Sequence, residues 1–214
     1  MPKGDSISTI KKILSVAEDL FAEKGFNGTS VSMIAKKAGV NKALIYYHFK
    51  DKNDIINSLF KNIIMESEEY ISHSDNTNLQ QNKEMSVQDM IREEITFMLK
   101  RKKILSIMLM ESLKGDDKEN YFFQFAENVI KNELDGLLQT DEGTNWHSEE
   151  MHKLLASKFF MGFITIIIFV AFRDKWCDYF KCDIDKTMEY FLDSLSKPYL
   201  VSDDLSEGNE SLEK

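Results

Sequence analysis

The sequence predicts an all-α protein with a small basic head and a larger acidic body. Three observations carry that reading. Proline is confined to Pro2 and Pro198. Because proline removes a backbone donor and clashes with the preceding turn, a chain without it between those positions can be helical almost throughout. Apolar residues recur at three- and four-residue spacing along most of the chain, the period of one helix face. Valine and threonine are sparse, and the alternation expected of a half-buried strand is hard to find.

The elements run in order. A first helix is expected over about 8–24, where Ile10, Ile13, Leu14, Ala17, Leu20 and Phe21 form one stripe. Gly25 stops it, and Phe26 can fold back as the apolar residue after a glycine C-cap. Ser30 is a good N-cap for a short second helix whose buried face is Val31, Ile34, Ala35 and Ala38 and whose end is Gly39. Gly39-Val40-Asn41 is a tight turn, and Asn41 caps a third helix running from Lys42 to about Phe49. Two short helices joined by a glycine-containing turn describe a helix-turn-helix.

Asp51 and Asp54 bracket the start of a fourth helix in a capping-box-like arrangement. That helix is expected to end near Ser72, with a polar loop from His73 to Met85. Further helices are expected over about 87–100, 104–113 and 120–138, with breaks at Lys114-Gly-Asp-Asp and over 140–144. A long helix from Ser148 to about Arg173 carries FFMGFITIIIFVAF, from Phe159 to Phe172. That uncharged run of fourteen residues is short of the roughly 20 needed to cross a bilayer, so a buried interface helix is expected. A loop holding Cys177 and Cys182 precedes a last helix over about 184–195, and the acidic tail 201–214 is expected to be disordered. The domains so read are a head over 1–52, a helical body over 53–200, and the tail.

The net charge of −9 is unevenly placed. Residues 1–61 carry ten lysines against six acids, a balance of +4, and the remainder carries −13. A basic head on an acidic body is the asymmetry expected when one end meets a polyanion. The overall charge would repel DNA, so any contact with it must be confined to the head. Two cysteines, and a start that passes from Met1–Asp5 directly into an amphipathic pattern, point to a soluble protein of the reducing cytoplasm.

The third helix spends its small surface on rings. Ile45 and Phe49, four apart, should face inward, with Leu44 at the margin. Lys42, Ala43, Tyr46, Tyr47 and His48 are left for the outward side. Hydroxyl, imidazole and ammonium donors suit phosphate oxygens. Lysine can reach guanine O6 and N7, and a methyl can pack on the thymine methyl. Lys52 lies at the start of the fourth helix, whose amide groups favour a phosphate. The alternative is structural: surface tyrosines are common, and Tyr46 could pack on the first helix.

The stretch TSVSMIAKKAGVNKALIYYHFKDKNDII resembles the DNA-binding signature of the TetR family of transcriptional regulators. Thr29, Ser30 and Val31 stand where that family has two hydroxyl residues before the apolar residue of its second helix. Ile34 to Val40 matches its I-A-x-x-A-G-V, and Ile45 to Phe49 with Lys52 matches the ending of its third helix. Asn41 replaces the usual serine and still caps. Ala43 replaces a frequent glycine, which brings a methyl to the surface and puts in doubt any transfer of an operator sequence. The resemblance implies that Ser30, Tyr46, Tyr47, His48 and Lys52 hold the phosphate backbone and that Lys42 and Ala43 face bases, with Asn41 between them at the cap. It implies an N-terminal three-helix helix-turn-helix domain and a C-terminal helical ligand-binding and dimerisation domain.

It further implies a homodimer on double-stranded DNA at a pseudo-palindromic operator, a small-molecule effector, and repression released by that effector. An activator, or a regulator answering to a protein partner, is the alternative. In the body, Phe97, Met108, Phe122, Phe123, Phe159, Phe160 and Phe163 form a soft aromatic set. Core packing explains each singly; together they suggest a pocket for a lipophilic or aromatic-cationic molecule. For the dimer the candidates are Phe163, Ile167, Val170, Phe191 and Leu195 on the last two long helices. No cofactor, metal or membrane partner is expected. Glu149, Glu150 and His152 read as ordinary charge at a helix start. A redox role for the cysteines is open beside two unlinked thiols. No nucleophile–base pair or phosphate-binding glycine loop invites an enzyme reading.

Overall fold

A computed structural model describes residues 3–81, 86–115, 119–138 and 145–201. Among these residues every regular element is helical: α1 (Lys3–Gly28), α2 (Val31–Ala38), α3 (Lys42–His48), α4 (Lys52–Gln81), α5 (Val87–Lys100), α6 (Lys102–Leu113), α7 (Tyr121–Leu138), α8 (Glu149–Ser157), α9 (Ile164–Phe180) and α10 (Ile184–Val201), with a six-residue π turn, Lys158–Phe163, joining α8 to α9. The break expected over 140–144 and the tail 202–214 lie outside the described residues. The elements group into two compact units.

The first unit contains α1–α3, most of α4, α6 and α7. Its core joins Ile13, Ala17 and Phe21 of α1, Ile34 and Ala38 of α2, Ile45 of α3 and Ile55 of α4, all essentially without exposed surface. Each large apolar side chain among them contributes about 1.5–3 kcal/mol by leaving water. α1 is broken where the sequence places its stop: Gly25 sits at φ 70°, a left-handed conformation that costs other residues free energy. Phe26 then folds back onto Phe21, ring centroids 5.5 Å apart. α1 also packs on α6, where Lys103 donates to Asp19 at 2.8 Å.

The second unit contains α5 and α8–α10. α5 packs on both α9 and α10. Arg92 of α5 makes a two-pronged ion pair with Glu189 of α10, both bonds 2.7 Å. The pair is exposed and therefore screened by water and salt. Phe169 stacks on Phe191 at 3.8 Å.

Four features depart from the sequence reading. α4 continues to Gln81 rather than ending near Ser72, because the polar run after His73 contains no glycine or proline to stop it. Cys177 lies inside α9, buried, with its Sγ 3.4 Å from Thr187 Oγ1; only Cys182 is in the connecting turn. The long helix is not uniform, since the π turn adds a residue and rotates the turns after it by about 100° relative to an unbroken α-helix. Finally, the continuous helical stretch Glu149–Phe180 is, at 32 residues, long and apolar enough to cross a membrane by length and composition. The fourteen-residue uncharged run understates its reach.

Lys103 serves Asp19 and holds that carboxyl below the usual range by its hydrogen bond. Neighbouring Glu18 has no such bond; burial raises its pKa from the ordinary 4.5, opposed by the charge of Lys103 and assisted by Asp19 and Glu66. A raised carboxyl pKa costs no stability below pH 4.5 and costs progressively more as pH rises through the folded value. Glu18→Gln should therefore raise the melting temperature at neutral pH and leave it unchanged below pH 4.5, as thermal melts at the two conditions would read.

Candidate nucleic-acid interface

The interface is assembled by local backbone chemistry. Ser30, in extended conformation, caps α2 by accepting from Met33 N at 3.2 Å. Gly39 closes α2 in the left-handed region at φ 64°. Val40 N then reaches back to Ala35 O at 3.0 Å, satisfying a carbonyl that the helix end would leave open. Asn41 caps α3 through Oδ1, which accepts from Leu44 N at 2.7 Å. Asp51 Oδ1 accepts from Asp54 N at 2.9 Å, and Asp54 Oδ2 accepts from Lys50 N at 2.8 Å. This is a variant of the capping box at the start of α4, with aspartate in the glutamate position reaching back to the residue before the cap.

These caps fix which face of α3 is outward. Ile45 and Phe49 are buried, while Lys42 and Ala43 are exposed. Tyr46 is 50% exposed and Tyr47 80% exposed. His48 is half-buried, its ring edge-on to Tyr47 at 4.9 Å. Lys42 Nζ lies 5.6 Å from the centre of the Tyr46 ring. The tyrosines thus stand on the surface rather than packing inward. Lys36 and Lys37 are exposed in the last turn of α2, where the helix dipole favours cations. The Lys12 ammonium lies at the turn as well: a Cβ on Gly39 would sit 3.8 Å from it. Lysines of α1 and α2 thus lie at or near the turn that leads into α3, and together with Lys42 and the α3 rings they can donate hydrogen bonds and positive charge to a polyanion.

Lys52 differs from the others. Its ammonium donates to Phe26 O at 2.7 Å and Thr29 O at 2.9 Å and lies 4.1 Å from the centre of the Phe26 ring. Two of its three N–H groups are committed to the protein's own backbone. Burial pushes its pKa down, and the negative charge of Glu111 on α6 pulls it back up. Thr29, 2% exposed, donates its hydroxyl to Leu20 O at 3.1 Å and lies 2.9 Å from Gly25 O. Sequence reasoning takes Thr29 only as a motif position and misses Lys12. The signal for Thr29 is a hydroxyl residue immediately before a capping serine, four residues after a helix-stopping glycine.

The residues expected to line a pocket divide between the units. In the first, Met108 and Phe122 are buried and Phe123 is exposed. In the second, Phe97 and Phe163 are buried, Phe159 is half-buried and Phe160 is 64% exposed. Of the dimer candidates, Phe163, Ile167, Val170 and Leu195 are buried, and Phe191 is stacked on Phe169. The surface of α9 carries other aromatics: Phe172, Trp176, Tyr179 and Phe180 are exposed, as is Tyr190 on α10. Among the described residues no group of three His, Cys, Asp or Glu could hold a metal ion.

Residues 13–59 match the family model described as bacterial regulatory proteins, tetR family. The chain is 42% identical over 59 residues to the HTH-type transcriptional regulator AcrR of Shigella flexneri, covering 28% of this chain and 27% of that one. It is 26% identical over 178 residues to the HTH-type transcriptional regulator YvdT of Bacillus subtilis, covering 76% of this chain and 88% of that one. A transcriptional regulator of the TerR/AcrR family from Aquifex aeolicus shares the fold, with a TM-score of 0.61 at 20% identity over 88% of this chain and 98% of that one. The chain spans about a quarter of the length of the first curated relatives it matches, 27% for AcrR. These relatives are regulators, not enzymes.

A Cβ on Gly39 would meet only the far end of the Lys12 side chain, at an ordinary contact distance of 3.8 Å, so Gly39→Ala tests chiefly conformation. It should destabilise the protein by about 1–2 kcal/mol, the cost of a left-handed Cβ, measured by urea unfolding.

Proposed function

The chain belongs to the TetR family of bacterial regulatory proteins through residues 13–59, and on that premise we propose that it is a ligand-responsive, sequence-specific DNA-binding regulator. It acts in the cytoplasm as a repressor, released from its operator by a small lipophilic or aromatic-cationic molecule. The observation that carries this reading is the outward face of α3, where two exposed tyrosines and Lys42 are held in place by capped helix ends on the basic part of an acidic chain.

The roles follow from position. The domain boundaries are 1–52 for DNA binding and 53–200 for effector binding and dimerisation. Lys42 and Ala43, at the start of α3, face base edges; Ser30, Tyr46, Tyr47 and His48 hold phosphates. A dimer sets two copies of α3 in successive major grooves, about 34 Å apart. The effector and DNA favour different conformers, so each weakens the other by the same factor.

The same reading gives the apolar stretch Glu149–Phe180 a protein partner rather than a bilayer. The partner is a second copy of this chain, meeting the exposed aromatics of α9. Aromatic side chains dominate the energetics of such contacts. Trp176→Glu should shift the protein from dimer to monomer in analytical ultracentrifugation while its helical content is kept; an unchanged dimer would move the interface elsewhere.

DNA binding is tested by salt. The affinity of the protein for duplex should fall steeply with ionic strength, by a slope of about −0.9 in log–log terms for each phosphate neutralised. Tyr47→Ala should weaken binding roughly 5- to 30-fold on matched and mismatched duplexes alike, because phosphate contacts carry no sequence information. Affinity that ignores both salt and Tyr47 would refute the reading.

A further inference from the structure

The Lys52 side chain sits on the edge of the proposed DNA face and looks like one more phosphate ligand. Its geometry says otherwise. An ammonium has three donors, and here the carbonyls of Phe26 and Thr29 take two at 2.7 and 2.9 Å, with the Phe26 ring against it at 4.1 Å. These carbonyls come from the broken end of α1 and from the link into α2. The left-handed turn at Gly25 kinks that end, and Phe26 O just beyond it accepts both from Thr29 N at 3.2 Å and from the Lys52 ammonium. Thr29 supplies the other half of the closure, with its hydroxyl 3.1 Å from Leu20 O and 2.9 Å from Gly25 O. Two side chains, one from the α1–α2 link and one from the first residue of α4, thereby meet at this corner: the Lys52 ammonium donates to two carbonyls, and the single Thr29 O–H lies within reach of two more.

We propose that Lys52 is a positioning residue for DNA recognition, not a phosphate ligand: it bolts the start of α4 onto the α1–α2 corner and so fixes the angle at which α2 and α3 are presented. The negative charge of Glu111 on α6, itself 2.6 Å from Lys114, opposes the lowering of the Lys52 pKa by burial. Thr29 is the partner in the same closure. It is buried and neutral, so it cannot touch DNA, yet it acts on the same corner. The proposal rests on the DNA-binding reading above.

The test is a double-mutant cycle with salt titration, using a duplex selected by the wild-type protein from a random-sequence pool. Lys52→Met should lower affinity roughly 5- to 30-fold without changing the slope of log affinity against log salt. A phosphate ligand would instead lose about 0.9 from that slope. Thr29→Val should also weaken binding at unchanged slope. The double variant should lose less than the product of the two single losses, because residues of one network do not act independently. Circular dichroism fixes which variants are folded; if Lys52→Met does not fold, Thr29→Val alone decides. A slope reduced by about 0.9 in Lys52→Met, independent effects of the two changes, or a folded Thr29→Val with wild-type affinity would each overturn the proposal. Failure of the wild-type protein to select or bind any duplex is a different result: it removes the DNA-binding reading, and this inference with it.

Discussion

The head of this protein depends on how one broken helix end is closed. α1 is kinked at Gly25, whose φ of 70° breaks the helical run, and the part-buried carbonyls of Phe26 and Thr29 lie just beyond. An open buried carbonyl costs about 1–3 kcal/mol, a large fraction of the stability of a small unit. Thr29 and Lys52 close the gap from two directions. Thr29 is held by the chain just beyond the break. Lys52 comes from more than twenty residues away and brings α4 with it. Everything downstream inherits that closure: Ser30 caps α2 immediately after Thr29, Asp51 caps α4 immediately before Lys52, and α3 lies between them.

With the corner closed, the outward face of α3 needs only short-range chemistry. Ile45 and Phe49 anchor the helix inward and Asn41 fixes its first turn, so Tyr46 and Tyr47 have no choice but to face solvent. Seven residues could not be held at a defined angle by their own hydrogen bonds, because isolated helices of that length are unstable in water. The exposed rings therefore depend on the packing of α1, α2 and α4 beneath them. The acidic remainder of the chain restricts polyanion contact to this face, so fold and charge distribution agree on one surface.

How much of this is legible in the sequence depends on the range of the interaction involved. Ser30, Gly39, Asn41 and the Asp51–Asp54 pair act within three or four residues, and each is readable from residue type and spacing. α2 and α5 begin and end where their patterns say. The Lys52 bridge is not readable: from sequence it is a lysine at a helix start, and only the fold reveals the carbonyls it meets. The end of α4 is misplaced by sequence because its polar composition suggests a loop where no residue actually stops a helix. Cys177 is likewise placed in a turn that begins only at Lys181. The π turn at Lys158–Phe163 shifts the phase of α9, and no periodicity argument anticipates an inserted residue. Within α9 ordinary helical spacing then applies: Ile167, Val170 and Cys177 are buried on one face while Phe172, Trp176 and Tyr179 are exposed on the other.

The central claim is that Tyr46 and Tyr47 lie against a duplex when the protein works. Nitration of tyrosines, read residue by residue by mass spectrometry, tests it most directly. Both should be modified readily in the free protein, be protected when a selected duplex is bound at low salt, and become reactive again when salt releases the DNA. Duplex bound with Tyr46 and Tyr47 still nitrated at their free rates would contradict the account.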